Sequence, residues 1–305
     1  MTIRPTDLAT AVALRGPYRA GGVDVAGRAG GGWVDLGALT ALRGIEADGS
    51  GLTIGATTTL RELERSSLVR ATHPMLATAA AAVANPNVRA LATVGGNLLQ
   101  GPRCVYFAHP DIACLRKGGT DCPARQGFQE GVVCFDTTPC VAPHPSTLAT
   151  VLACLGAVAH VEGRGPVAVA ELVAHRPRDG ELLTTVTVPP PWSAERSHYL
   201  RVTARGQADW PLVEVAARAH GDEVVQSLRL TAGAVAATPL RLTAVERYLV
   251  GRPPTPDGLR AAARLAAADA NPLAGSAHKV GILRAAVLDA LNGCWHPSGT
   301  PTLPA

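Results

Sequence analysis

The chain has 305 residues, of which 47% are hydrophobic and 17% charged, enough length for two domains and too apolar a composition for a disordered chain. The net charge of +4 comes from charges of both signs scattered along the sequence, with no basic stripe interleaved with aromatics, so nucleic acid is excluded as an expected partner. The first 22 residues lack an uninterrupted apolar run, so no secretory signal is expected. The longest apolar stretch, 148–161, is too short and too broken by Thr and Gly to span a bilayer, and it reads as a buried helix.

In chain order, an apolar helical pattern covers 6–15, and 19–24 is a glycine turn. Short strands are expected at 33–36 and 52–56. The stretch 57–63, with Thr at an N-cap and Glu three or four positions on, predicts a capped helix start. An alanine-rich helix over 73–84 is expected to stop at Asn85-Pro86, and 91–94 reads as a strand entering the Gly95-Gly96 turn. Residues 101–145 follow neither the helix nor the strand period, and a loop of that length in a compact domain usually serves function. A helix at 148–155 and strands at 157–161 and 182–188 complete the first unit. Pro189-Pro190-Pro191 stiffens the chain and marks the boundary. Beyond it the pattern predicts a strand (197–205), a helix (212–219), a strand (227–234) and helices at 244–250, 256–268 and 279–291. The Pro/Thr-rich tail, 297–305, is expected to be loose.

Two features carry chemistry. The turns Ala20-Gly21-Gly22 and Thr93-Val94-Gly95-Gly96-Asn97 let backbone N–H groups approach a phosphate closely. Neither matches the GxGxxG fingerprint, so a Rossmann site is not indicated. Four of the seven cysteines, Cys104, Cys114, Cys122 and Cys140, lie in the aperiodic segment. Three of the four sit beside turn formers, which favours metal ligation in a reducing compartment over a disulfide scaffold. The spacing is neither a zinc ribbon nor a compact ferredoxin run. Cys154 lies in an apolar helix and reads as core, Cys134 is a poorer ligand candidate after Val132-Val133, and Cys294 is a lone thiol. Arg103, Arg116 and Lys117 add positive charge near the cysteines, and His144 reads as a rigid turn residue.

Arg19-Ala20-Gly21-Gly22-x-Asp24, Ile54-Gly55-Ala56-x-Thr58 and Ala92-Thr93-Val94-Gly95-Gly96-Asn97-Leu98 resemble the flavoprotein subunit of molybdenum hydroxylases, the relatives of xanthine dehydrogenase, aldehyde oxidoreductase and carbon monoxide dehydrogenase. Cys104-x-Tyr106-Phe107, Cys114-x-Arg116-Lys117-Gly118-Gly119-x-x-Cys122 and Cys140-Val141-Ala142-x-His144-Pro145-Ser146 are similar to the aldehyde oxidoreductase branch with an extra [4Fe–4S] cluster. The likeness extends to Pro211-Leu212-Val213, Asn271-Pro272-Leu273 and Lys279-Val280.

That resemblance implies an α+β protein: a two-part, PCMH-like α/β FAD-binding domain over 1–188, with the cluster loop inserted at about 101–145, then a small α+β domain over 196–296. It implies FAD, with the pyrophosphate on Arg19, Ala20, Gly21, Gly22, Val23 and Asp24 and on Thr93, Val94, Gly95, Gly96 and Asn97, next to Ser146. Val83, Leu182 and Leu183 would lie near the ring systems, and Cys104, Cys114, Cys122 and Cys140 would hold the [4Fe–4S] cluster. It implies partners as well: a molybdopterin-binding large subunit that oxidises substrate and a small [2Fe–2S] subunit that relays electrons to this one. The expected location is cytoplasmic, or exported with a signal-bearing partner subunit. Val23 stands where the family usually carries Thr or Ser, Thr147 where it usually carries Asp, and 25–32 is a short Gly-rich run in place of a helix start. The alternatives are a degenerate subunit kept for assembly without FAD, and a zinc-stabilised binding module.

Overall fold

The computed structural model describes residues 2–25, 32–206 and 208–296. The Pro/Thr-rich tail and most of the Gly-rich 25–32 run lie outside the described residues.

Three sheets organise the chain. A two-stranded parallel pair joins β1 (Tyr18–Arg19) to β2 (Val34–Asp35) near the N-terminus. A five-stranded antiparallel sheet combines β3 (Ile45–Asp48), β4 (Gly51–Gly55), β5 (Val158–Glu162), β6 (Gly165–Ala168) and β7 (Leu182–Val188) in the order β3-β4-β7-β5-β6. A four-stranded antiparallel sheet, ordered β11-β10-β9-β8, is made of β8 (Arg196–Thr203), β9 (Pro211–His220), β10 (Ser227–Gly233) and β11 (Leu240–Arg241). The first two sheets thus precede the triple proline and the third follows it.

The five-stranded sheet turns alternate side chains into one core. Leu52 and Ile54 of β4 pair with Val188 and Val186 of β7. Helices Leu60–Arg65, Pro74–Ala81 and Thr147–Leu155 cover that face. The Leu60–Arg65 start is a full capping box: Thr59 Oγ1 accepts from Glu62 N and the Glu62 carboxylate accepts from Thr59 N at 2.8 Å. Beyond the prolines, the long helix His278–Trp295 and helix Thr243–Leu249 pack on the four-stranded sheet, and helix Pro256–Leu265 packs on those two helices.

Two sequence expectations are corrected. Residues 91–94 are not a strand: the helix Pro86–Leu91, capped by Asn85, ends there and a second helix, Val94–Leu98, begins one residue after Ala92 and its cap Thr93. Proline at the first helical position starts this helix as well as ending the one before. Residues 212–219 are β9 rather than a helix. Its Val and Ala run is buried on both faces, between helix Thr147–Leu155 on one side and His278–Trp295 on the other, so the alternation that would betray a strand is erased.

The 101–145 segment has little regular structure beyond the turn Val105–Ala108 and two 3-10 turns, Leu115–Lys117 and Pro123–Arg125. It has a small core of its own, Ala124, Val132, Val133 and Val141. Its second half is knitted to the C-terminal unit. Cys134 N and Phe135 N both donate to Val235 O at 2.9 and 3.0 Å, and Asn271 exchanges hydrogen bonds with Asp136 at 2.7 and 3.0 Å.

Arg218 of β9 ties the units together. It is 2% exposed, donates to Leu155 O (3.0 Å) and Pro190 O (3.1 Å), pairs with Glu195 and stacks on Trp192 at 4.0 Å. Cys154 is fully buried, its thiol against Ala216 O and Arg229 O at 3.4 Å, and burial pushes that thiol up to about 12. Cys294 is likewise a core thiol.

Candidate functional site

The two glycine turns meet. Gly21 lies directly on the end of helix Pro86–Leu91, where a Cβ would fall 1.6 Å from Leu91 O. Only glycine fits there, so the 19–24 turn is pressed onto the segment that leads into Thr93. Gly22 adopts φ +76°, the left-handed conformation glycine favours. Asp24 then reaches the far end of the second turn: its carboxylate accepts from Gly101 N (3.2 Å) and from Arg103 (2.7 Å).

The second turn is built differently from a nest of free N–H groups. Val94 N donates to Thr58 O (2.9 Å), Gly95 N to Ala56 O (2.8 Å), Gly96 N to Thr93 Oγ1 (3.1 Å) and Asn97 N to Thr93 O (2.8 Å). Its donors are thus engaged within the chain, and what Gly95 and Gly96 offer is a bare backbone surface. The first turn keeps its donors. Among the described residues no acceptor takes the N–H of Gly21, Gly22 or Val23, and Arg19 Nε is buried without a partner.

Asn97 and Ser146 lock the second turn to the helix Thr147–Leu155. Ser146 Oγ donates to Asn97 Oδ1 at 2.7 Å and accepts from Ala149 N at 3.0 Å, capping that helix. Gln100 adds a bond to Pro145 O at 3.2 Å.

Between these elements and β8 lies a narrow pocket lined by Val83, Asn97, Pro145, Thr147, Arg201 and Trp210. Arg103, already paired with Asp24, stacks on Trp210 at 4.5 Å. Beneath the pocket Glu214 is 1% exposed and accepts from Thr147 Oγ1 (2.5 Å) and Tyr199 OH (2.7 Å) on one oxygen. Burial raises the Glu214 carboxyl above its ordinary range, against the pull of Arg201 and the two hydroxyls. Glu214 of β9 thus places a buried carboxylate against Thr147. Val83 lines the pocket, whereas Leu182 packs in the N-terminal core with Val34, and Leu183 lies beneath Gly95.

Hydrogen bonds, most of them donated by basic side chains, link the cysteine segments. Leu115 N donates to Asp121 O (3.0 Å), Lys117 Nζ to Tyr106 O (3.1 Å) and Arg116 Nε to Cys140 Sγ (3.2 Å), while Arg125 reaches Pro139 O (3.0 Å). Cys114 is buried, and Cys104, Cys122 and Cys140 are partly exposed. Even so, among the described residues no group of three or more His, Cys, Asp or Glu side chains is arranged to hold a metal. The ready-made four-thiolate centre expected from the sequence is therefore not present in this arrangement. Of the nearby cations, Arg116 does face a cysteine, but Arg103 serves the glycine turn. His144 accepts from Ser146 N at 3.3 Å, and removal from water, with Arg176 and Arg116 nearby, lowers it to about 4.

Sequence reasoning missed Arg201, Trp210 and Glu214. Arg201 and Trp210 carry no local pattern. Glu214, a lone charge within Leu212-Val213-Glu214-Val215-Ala216, was a legible signal of a buried polar contact.

Residues 28–191 match the family described as the FAD binding domain in molybdopterin dehydrogenase, and 198–288 the CO dehydrogenase flavoprotein C-terminal domain. The chain is 33% identical over 217 residues to the aldehyde oxidoreductase FAD-binding subunit PaoB of Escherichia coli K12, covering 66% of this chain and 67% of that one. A 68-residue stretch is 41% identical to the carbon monoxide dehydrogenase medium chain of Hydrogenophaga pseudoflava, covering 22% of this chain and 24% of that one. The fold is that of a carbon monoxide dehydrogenase chain from Hydrogenophaga pseudoflava (TM-score 0.75, 24% identity, 98% of each chain). It is equally that of a quinoline 2-oxidoreductase chain from Pseudomonas putida 86 (TM-score 0.74, 20% identity, 96% of this chain and 95% of that one). The matched domain family and PaoB define a class, the FAD-binding components of molybdopterin-type dehydrogenases. This chain belongs to that family, the FAD-binding subunits of molybdopterin dehydrogenases.

Proposed function

We propose that this chain carries FAD and passes electrons from the [2Fe–2S] clusters of a small partner subunit to an external acceptor, in a complex whose molybdopterin-binding large subunit oxidises the substrate. The observation that carries the reading is the meeting of the 19–24 turn, whose Gly21, Gly22 and Val23 N–H groups have no acceptor among the described residues, with the segment leading into the 93–97 turn and its bare glycine surface. When bound, FAD supplies a carrier able to take up and release electrons.

The chain's own residues bind and orient. The N–H groups of Gly21, Gly22 and Val23, with Arg19 Nε, suit a diphosphate, and Asp24 and Arg103 hold that turn against 100–103. Asn97, fixed by Ser146, Gly95 and Gly96 form the opposite wall. Val83 and Trp210 give the narrow pocket beside Asn97 apolar faces.

The four cysteines enter as a second proposal. Arg116 reaches Cys140 and Arg125 the loop before it, which supports a [4Fe–4S] cluster that draws Cys104, Cys114, Cys122 and Cys140 inward as it assembles. The path from partner to FAD does not depend on it. No helix among the described residues is long and apolar enough to cross a membrane, and a cytoplasmic location is part of the proposal.

Co-purification with the partner subunits, followed by flavin, molybdenum, iron and acid-labile sulfide analysis, tests both. Flavin near one per chain, bleached on adding the oxidisable substrate, supports the first. A fully loaded, active complex without flavin here would replace it with an assembly role. Zinc without sulfide would replace the cluster.

A further inference from the structure

Lys279 is a buried ammonium with no carboxylate to answer it. It lies in the first turn of the helix His278–Trp295, is 1% exposed, and its Nζ donates to Ala234 O at 2.9 Å. Among the described residues the one titratable group acting on it is the Cys134 thiol, which burial pushes up to about 11 and so keeps neutral. Burial lowers Lys279 itself to about 8, so at pH 7 it still meets that carbonyl as a charged donor. An ammonium without a counter-charge is costly to bury, and its acceptor belongs to an unusual residue. Ala234 is buried and left-handed, at φ +62°, a conformation in which a side chain is strained and glycine is the ordinary choice.

The carbonyls that follow Ala234 hold the cysteine segment. Val235 O accepts from Cys134 N (2.9 Å) and Phe135 N (3.0 Å), and Ala236 O accepts from His144 N (3.1 Å). The loop 135–144, which carries Cys140, therefore has both ends tied to consecutive carbonyls of one strained turn. Ser276 and Asn271 also grip the segment, at Val133 O (2.9 Å) and Cys134 O (3.0 Å), but neither bonds His144. We propose that Lys279 and the left-handed turn at Ala234 form an anchor through which the C-terminal unit sets the path of the 135–144 loop: the ammonium fixes Ala234 O, and so aims Val235 O and Ala236 O at the two ends of the loop. The anchor is local. It fixes where Cys140 stands and adds little to overall stability, because the desolvation of the charge offsets what the bond contributes. Lys279 is a positioning residue, bonding no cysteine and acting through the turn.

The test is native-state hydrogen exchange of the purified full chain, read amide by amide, with maleimide labelling of Cys134 on the same samples. In the unaltered chain the amides of Cys134, Phe135 and His144 should open as one unit, with a common denaturant dependence. Lys279→Met and Lys279→Gln remove the charge. In either variant, whichever folds, those three amides should exchange at least about tenfold faster. Cys134, fully buried in the native chain, should become open to the label, while Cys154 and the amides of β9 stay protected. Adding Ala234→Gly, which relieves the turn of its strain, should return part of the lost protection. A neutral variant with native exchange at His144 overturns the inference, since Ser276 and Asn271 would then suffice. So does a rise shared equally by β9, which would make Lys279 a general core residue, and so does an Ala234→Gly addition that restores nothing. Independent opening of the three amides in the unaltered chain overturns it as well, whether or not a variant folds.

Discussion

Replacing Gly21 with alanine sets the turn geometry against the cofactor it is proposed to hold. The added Cβ would lie 1.6 Å from Leu91 O, where ordinary contact begins near 3.4 Å, so about 1.8 Å of relief is required. Leu91 O cannot supply it, since the next carbonyl, Ala92 O, is tied to Leu60 N at 2.8 Å. The turn must move instead. Forcing extra volume into a packed contact costs about 1–3 kcal/mol, a drop of several degrees in melting temperature for a chain of this size. The larger effect falls on FAD. Displacing the N–H groups of Gly21, Gly22 and Val23 from a diphosphate forfeits charge-assisted bonds of about 1.5 kcal/mol or more each, so affinity should fall at least 100-fold. Gly22→Ala is the control. Its Cβ meets nothing closer than Arg19 Cδ at 3.9 Å, and its cost is that of φ +76°, about 1–2 kcal/mol. Flavin-to-protein ratio, FAD titration of the stripped protein and thermal melting give the readout. Gly21→Ala protein with full flavin and the wild-type melting temperature, or a Gly22→Ala variant that is the worse of the two, would refute the reasoning.

Further predictions concern the thiols, one histidine and the seam between units. If the cluster proposal holds, Cys122→Ser lowers iron and sulfide content, whereas Cys154→Ser, deep in the core, leaves iron unchanged; equal iron loss in both would undo the ligand assignment. Folding lowers His144 to about 4 from 6.5, so between those values the unfolded chain binds the extra proton and stability falls as pH falls. The loss amounts to about 2–3 kcal/mol on going from pH 7 to pH 4, and denaturant titrations across that window should show it reduced by as much in His144→Gln. Arg218→Ala removes the cation from buried Glu195 and the two bonds to Leu155 O and Pro190 O, at a cost of about 3–5 kcal/mol. Calorimetry should show the C-terminal unit separating from the first, and an unchanged single transition would count against Arg218 as the tie.

Local signals reached some elements with little ambiguity. The capping box at Thr59 and Glu62, the β-branched run of β7 and the core position of Cys154 all depend on neighbours within a few residues, or on composition alone. The same locality failed for β9. Helix and strand both explain a run of Val and Ala once both faces are covered, and only the pairing of β9 with β8 and β10 decides between them. It failed again at Asn85-Pro86, which closes one helix and opens the next.

The glycine turns were legible as turns because glycine is rare where a side chain would fit, but their division of labour was not. That the 19–24 turn keeps its donors while the 93–97 turn satisfies its own depends on Thr58 O and Ala56 O, acceptors from a strand end far earlier in the chain. The cysteine spacing suggested four ligands, yet whether four sulfurs converge is set by how the 101–145 segment is pinned to Val235 and Asn271, more than 90 residues on. The sequence alone determined the family, the two-unit order and the residue types available for chemistry, because motif and composition are carried by the chain itself. Tertiary structure alone decided that Arg201 and Trp210 line a pocket with Asn97 and that Glu214 lies buried against Thr147 of its wall, because burial and charge compensation exist only once distant segments exclude water from one another.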